Sequence, residues 1–255
     1  MRIAVITGAS SGIGREFVRV IAEKEQLDEI WVIARRADRL AELAKEIKTP
    51  IRALALDLTL PESYDEYSRE LKASQPDVAI LINASGYGYF GEFEKRPLKG
   101  QLQMIDLNDK AVVALCYLTL PYMNRGGEIY NIASTSSFQP VPFISVYAGT
   151  KALVMSFSRA LNMELKPRGI RVMAVCPHWC KTEFFDTAVT DDTIKYYNFF
   201  NIPRKVAQTA VKNMKRGRDV SLCGARIKLQ VLAVKLLPHK MVMKTWMKQQ
   251  DKPMK

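Results

Sequence analysis

Two periods alternate along this chain. Compact apolar runs, Arg2-Ile3-Ala4-Val5-Ile6, Glu29 to Ala34, Ile51 to Leu56, Val78 to Ile82, Glu128 to Ile132 and Ile170 to Cys176, each have the length of one strand. Segments with apolar residues at helical spacing stand between them, such as Phe17, Val18, Val20 and Ile21, or the long apolar stretch from about Lys99 to Met123. Strands apolar on both sides belong in a parallel sheet covered on both faces, and strand–helix alternation supplies the covering helices. With a short strand at Asp219 to Cys223, the pattern predicts one doubly wound α/β domain, a seven-stranded parallel sheet with helices on both faces, over residues 1–225. A basic amphipathic helical tail follows over 226–255.

Polar residues gather where the predicted strands end, which is where open α/β sheets place their ligands. The first strand runs into Thr7-Gly8-Ala9-Ser10-Ser11-Gly12-Ile13-Gly14 and then a helix. Strand, glycine turn and helix form the setting in which a backbone can approach a pyrophosphate at a helix N-terminus, although a glycine turn alone can also be structural. The second strand ends at Ala34-Arg35-Arg36, without the acid that would take a ribose 2′-hydroxyl. A guanidinium there matches a 2′-phosphate, so Arg35 favours NADP(H) over NAD(H); a solvated arginine opening a helix is the plainer alternative.

Further on, the third strand leads to Asp57-Leu58 and the fourth to Asn83-Ala84-Ser85-Gly86, while Asn108 interrupts a long apolar helix and Ser134 follows the fifth strand. An asparagine inside a helix disfavours it, which suggests a backbone or water role, with an exposed polar face as the alternative. Tyr147 and Lys151 stand four apart on one predicted helix, so their Cβ atoms are roughly 5–6 Å apart. A tyrosine ordinarily ionises near 10, at about three units above neutrality, and a neighbouring ammonium is expected to pull that value down toward working pH.

Composition narrows the field. The chain has 255 residues, enough for one large domain. A strand at Arg2 leaves no room for a signal peptide, and no run reaches the roughly 18 apolar residues of a membrane span, so a cytoplasmic protein is expected. Cys116, Cys176, Cys180 and Cys223 fit reduced thiols, and their spacing matches no zinc pattern; no metal is expected. Of 38 Lys+Arg and 26 Asp+Glu, residues 204–255 hold 14 and 2, which places the whole net charge of +12 in the C-terminal fifth. No groove-reading motif accompanies that charge, so nucleic acid is not an expected partner.

Taken in order, these motifs resemble the short-chain dehydrogenase/reductase family over about residues 2–182. The resemblance implies a Rossmann-type domain in which Gly8, Ser10, Ser11, Gly12, Ile13 and Gly14 form the cofactor turn and Asp57 and Leu58 meet the adenine. Asn83 and Gly86 belong to the fourth-strand motif. Asn108, Ser134, Tyr147 and Lys151 match the catalytic tetrad, with Tyr147 as general acid/base, Lys151 tuning it and holding the nicotinamide ribose, Ser134 binding the substrate oxygen, and Asn108 holding a water. Pro177 and Thr182 match the loop over the nicotinamide, but His178 stands where the family has glycine, so that loop is expected to differ. The implied activity is hydride transfer between a nicotinamide and a carbonyl or alcohol. A regulatory or scaffold protein that kept the fold without turnover is the alternative, disfavoured by the intact Ser134, Tyr147 and Lys151.

A lid over about 182–205 contains Phe184, Phe185, Tyr196, Tyr197, Phe199 and Phe200, and Phe138, Val141 and Phe143 precede Tyr147. These predict an apolar substrate such as a steroid, a long-chain 3-oxoacyl group or an aromatic ketone; the alternative is that half of these aromatics pack the lid against the core. In the tail, Lys240, Lys244 and Lys248 recur at helical spacing beside Met243, Trp246 and Met247. That pattern fits peripheral contact with a membrane surface or an acidic partner; subunit packing fits it too, and the family resemblance implies a dimer or tetramer built through the two long helices.

Overall fold

A computed structural model describes residues 1–253 of the chain. Strand β1 (Arg2–Thr7) is followed by α1 (Gly12–Lys24), β2 (Glu29–Ile33), α2 (Ala37–Glu46), β3 (Ile51–Leu54), α3 (Pro61–Ser74) and β4 (Asp77–Asn83). Then come α4 (Leu98–Ile105), α5 (Ala111–Thr119), β5 (Glu128–Ile132), α6 (Ser145–Glu164) and β6 (Arg171–Val175). The final third holds β7 (Trp179–Cys180), α7 (Phe184–Ala188), β8 (Phe200–Asn201), α8 (Pro203–Lys215), β9 (Val220–Ser221), α9 (Ala225–Leu236) and α10 (His239–Gln249). Seven strands form one sheet in the order β3-β2-β1-β4-β5-β6-β9, all parallel, and β7 and β8 pair separately.

The order reverses between β1 and β4, so the crevice outside their carboxyl ends is open for a ligand. Burial explains why those strands are apolar throughout. Val5, Trp31 and Leu81 feed one core layer and Ile6, Val32 and Ile82 the other, all fully buried. Each Val, Leu or Ile so placed contributes about 1.5–3 kcal/mol relative to exposure. A third apolar cluster, with Phe90, Met104, Ile144 and Tyr147, lies off the sheet beneath the lid.

The long apolar stretch is two helices joined by one wide turn. Over Asp106–Lys110 the chain makes a π-helical turn, in which the Ala111 N–H reaches back to Asp106 O. The extra residue lets neighbouring side chains turn inward together: Asn108 is fully buried and Asp109 nearly so. At the C-terminal end, α9 and α10 pack over the body instead of extending from it, with Ile227, Val231 and Val242 buried. The last two tail residues lie outside the described residues. Among the described residues, no helix is long and apolar enough to cross a membrane. All four cysteines are free thiols, and burial pushes Cys116, Cys176 and Cys180 up to about 12, which makes them poor nucleophiles.

Candidate active site

The β1–α1 turn and the β4 turn are built against one another. Thr7 Oγ1 accepts from the backbone N–H groups of Ala84 and Ser85, both at 3.0 Å. Gly8 sits at φ +65, and a Cβ there would stand 2.7 Å from Ala84 O, so both conformation and contact require glycine. Ser11 caps α1 without a side-chain hydrogen bond, and the first turn holds no acid. Its N–H groups therefore face the crevice unopposed, as an anionic pyrophosphate needs. These features fit a dinucleotide.

One cavity of about 620 Å³ runs from this turn to the lid. Gly8, Ser10, Ser11, Gly12, Ile13, Gly14, Arg35, Asp57, Leu58 and Gly86 line its nucleotide end. Ser134, Tyr147, Lys151, Pro177 and Thr182 line its other half. At the end of β2, the Arg35 guanidinium is 3.9 Å from Asp57 and largely exposed. Its neighbour Arg36, which sequence reasoning passed over, is the better held: its Nη2 donates to Ser10 Oγ at 3.0 Å and to Glu183 at 2.7 Å. Adjacent basic residues marked the spot, but only the folded register separates them.

Two expected residues lie outside the cavity wall. The Asn83 side chain is buried between β4 and β5, donating to Asn131 Oδ1 at 2.8 Å. Asn131 in turn donates to Ser158 Oγ at 2.9 Å, which ties the sheet to α6. Asn108 acts on the cavity through the loop it holds. Its Nδ2 donates to Tyr87 O at 3.0 Å and Thr150 Oγ1 at 3.1 Å, while its Oδ1 accepts from Tyr87 N. Gly86 must be bare for this, since a Cβ would lie 2.8 Å from that Oδ1 and 3.3 Å from Lys151 Nζ.

Helix α6 puts Tyr147, Thr150, Lys151, Val154, Ser158 and Leu161 on its buried face. Lys151 Nζ donates to Ile132 O at 2.8 Å and stands 5.8 Å from the Tyr147 ring. The electrostatics run opposite to the expectation. Burial pushes the Tyr147 phenol up to about 12, opposed by the Ser134 hydroxyl, and burial also pulls Lys151 down to about 8, opposed by Asp109. Desolvation penalises both charged forms, and at this depth it is the largest influence on each. Ser134 Oγ accepts from Ser136 N at 3.1 Å, which leaves its own proton to donate. The Ser134 N–H donates to Ser137 Oγ, and Ser137 donates to Lys151 O, so the serine turn is locked to α6.

His178 explains how the chain departs from the family's glycine. Its Nδ1 meets Thr135 Oγ1 at 2.8 Å, its Nε2 meets Asn198 Oδ1, and its N–H donates to Asn201 Oδ1 at 3.0 Å. Burial lowers its pKa, in keeping with a neutral ring that accepts from the threonine and donates to the asparagine. The residue thus pins the lid to the loop after Ser134.

The aromatic expectation divides. Phe184, Phe185, Tyr196 and Val141 line the cavity; Phe199 turns outward beneath Arg226, and Phe138 stacks under Lys235. Trp179 and Trp246, not anticipated as cavity residues, stack with centroids 6.4 Å apart, and Trp246 Nε1 donates to Pro142 O at 3.0 Å. Buried Gln250 accepts from Lys195 N and Tyr196 N, so α10 is tied to the lid. Ser136 and Gln139 were also missed. Both line the cavity, and each has a buried oxygen with no partner among the described residues, as polar contacts for a ligand would.

The chain matches the family model for short chain dehydrogenase over residues 2–193. A short-chain dehydrogenase from Sphingobium yanoikuyae, solved in complex with NADPH, is 28% identical with a TM-score of 0.79, covering 97% of this chain and 96% of its own. The bulky-bulky ketone specific alcohol dehydrogenase of Comamonas testosteroni is 26% identical with a TM-score of 0.74, covering 96% and 94%. The very-long-chain 3-oxoacyl-CoA reductase of Rattus norvegicus is 33% identical over 71% of this chain and 60% of that protein. Sequence match, sheet order and site geometry agree, and this chain belongs to the short-chain dehydrogenase family as an oxidoreductase of carbonyl and alcohol groups.

Proposed function

We propose that the protein is an NADP(H)-dependent oxidoreductase acting on the ketone or secondary alcohol of an apolar substrate: a steroid, a long-chain 3-oxoacyl group or an aromatic ketone. The observation that carries this reading is the opening of Ser134, Tyr147 and Lys151 onto the same cavity as the glycine turn and Arg36. When bound, the nicotinamide supplies or accepts the hydride at the substrate carbon. Tyr147, protonated through the neutral range, gives its proton to the oxygen of a ketone being reduced. The Ser134 hydroxyl donates to the same oxygen and steadies the charge that develops there. Lys151 would hold the ribose hydroxyls, and its positive charge beside the phenol also favours the reverse proton transfer during alcohol oxidation. Arg36, Arg35 and Ser10 would receive the 2′-phosphate.

The apolar wall of Trp179, Phe184, Phe185 and Trp246 supports the apolar substrate class, and Ser136 and Gln139 add polar groups to it. Association into a dimer or tetramer is consistent with the outer faces of α4, α5 and α6, where Leu102, Tyr117 and Leu153 are exposed. Trp179 and Trp246 border the cavity, so tryptophan fluorescence reads cofactor binding. Parallel titration should give tighter binding of NADPH than NADH, followed by turnover on lipophilic ketones. Preference for NADH would refute the cofactor assignment; tight binding without turnover across the ketone panel would refute the enzymatic one.

A further inference from the structure

Helix α9 is apolar on two opposite faces. Ile227 and Val231 are buried against the body, and Gln230 and Val234 share the cavity wall with Val231. On the other side, Leu229, Leu232 and Leu236 recur three and four residues apart and are 68%, 54% and 76% exposed. Exposed Met241 stands beyond the corner in α10, while Leu237 at the corner borders the cavity. A helix that is apolar all round is one covered all round, and no described residue covers this outer stripe.

The surrounding charge identifies the cover. From Val220 to Gln250 the chain has no Asp or Glu but six cations: Arg226, Lys228, Lys235, Lys240, Lys244 and Lys248. All six are exposed. The ion pairs of the basic C-terminal fifth involve Arg204, Lys215 and Asp219 instead, and none of the six takes part in one among the described residues. At about 100° per residue, Lys228 and Lys235 fall on one flank of the leucine stripe and Arg226 on the other. A second copy is a poor occupant, because a two-fold contact would set this cationic face against itself with no acid to relieve it. We propose that the outer face of α9 docks on an anionic lipid surface, with Leu229, Leu232 and Leu236 entering the acyl boundary and the flanking cations meeting headgroup phosphates.

This surface differs from the one the sequence suggested. Trp246, one of the apolar residues beside the tail lysines, is turned inward onto Trp179, and α9 presents the outward apolar face. The opposite face of the same helix borders the substrate cavity, so docking brings that cavity within about one helix diameter, 10–12 Å, of the lipid. The docking does not depend on the chemistry proposed above.

The test is co-sedimentation of the full chain with phosphatidylcholine vesicles and with vesicles also containing phosphatidylserine. The triple variant Leu229→Ser, Leu232→Ser, Leu236→Ser is run beside it, with circular dichroism and thermal unfolding checking its fold. These side chains are exposed, so the variant is expected to fold. The wild-type chain should partition onto the anionic vesicles about tenfold or more better than the triple variant and better than onto phosphatidylcholine alone. Wild-type protein remaining in the supernatant would overturn the proposal. So would equal sedimentation of a folded triple variant, or a dimer abolished by the same substitutions without any vesicle binding.

Discussion

Asn108 grips Tyr87 by both backbone groups: its Oδ1 accepts from the Tyr87 N–H at 3.1 Å and its Nδ2 donates to the Tyr87 carbonyl at 3.0 Å. The asparagine amide takes the place of a strand partner for a loop that has none there. The π-helical turn is what brings it inward, so a local departure from regular helix geometry positions the loop that borders the cavity.

Replacing Asn108 by Ala should therefore loosen the loop after β4 without touching the glycine turn. Two backbone groups lose their partner, at a cost of about 1–3 kcal/mol if they stay buried. Denaturant unfolding should register that loss, and hydrogen exchange should rise at Tyr87 while the β1 amides stay protected. An Asn108→Ala protein as stable as wild type would mean that solvent replaces the asparagine.

Much of this architecture was legible in the sequence because it depends on neighbours along the chain. Apolar runs marked six of the seven sheet strands, and the residues after them carried the nucleotide turn, Ser134, Tyr147 and Lys151. What was hidden depends on partners far apart. Asn83 matches a family motif, yet its side chain serves a ladder to Asn131 and Ser158 that no local spacing reveals. The lysine four residues from Tyr147 was read for its charge alone, whereas the depth of burial decides the pKa of both. Trp246 stands among the apolar residues beside the tail lysines, and nothing in the tail indicates that Trp179 and Pro142 await it.

Asp109 gives a stability change with a defined sign. Burial raises its carboxyl from 3.8 to about 6 in spite of nearby Lys151. The folded state then holds this proton more tightly than the unfolded state, so the stabilisation is complete below about 3.8 and is lost as pH rises through 6. Across that window, wild type should lose stability relative to Asp109→Asn by an amount on the order of 1–3 kcal/mol. Parallel unfolding curves at the two ends of the window measure it; a constant difference would place the carboxyl in water.

Glu183 and Ser10 share the Arg36 guanidinium, so under the proposed NADP(H) assignment a 2′-phosphate would compete with a carboxylate already paired to that arginine. That arginine holds Glu183 below the usual carboxylate range. Glu183→Gln should tighten NADPH binding several-fold and leave NADH nearly unchanged. Arg36→Ala should weaken NADPH by about tenfold or more, the span of one charge-assisted hydrogen bond worth roughly 1.5–3 kcal/mol, with little effect on NADH. Equal losses for both cofactors would assign Arg36 a structural role.

The central claim is that the Tyr147 hydroxyl carries the proton of a nicotinamide-dependent reaction. The most direct measurement compares NADPH consumption by wild type and Tyr147→Phe with the best ketone substrate, after fluorescence titration has established cofactor affinity for both. The account predicts matching NADPH affinities and a rate lower by about two to four orders of magnitude in the phenylalanine variant, the usual contribution of a positioned general acid. A Tyr147→Phe protein that binds NADPH equally well and turns over at a near-normal rate would contradict it.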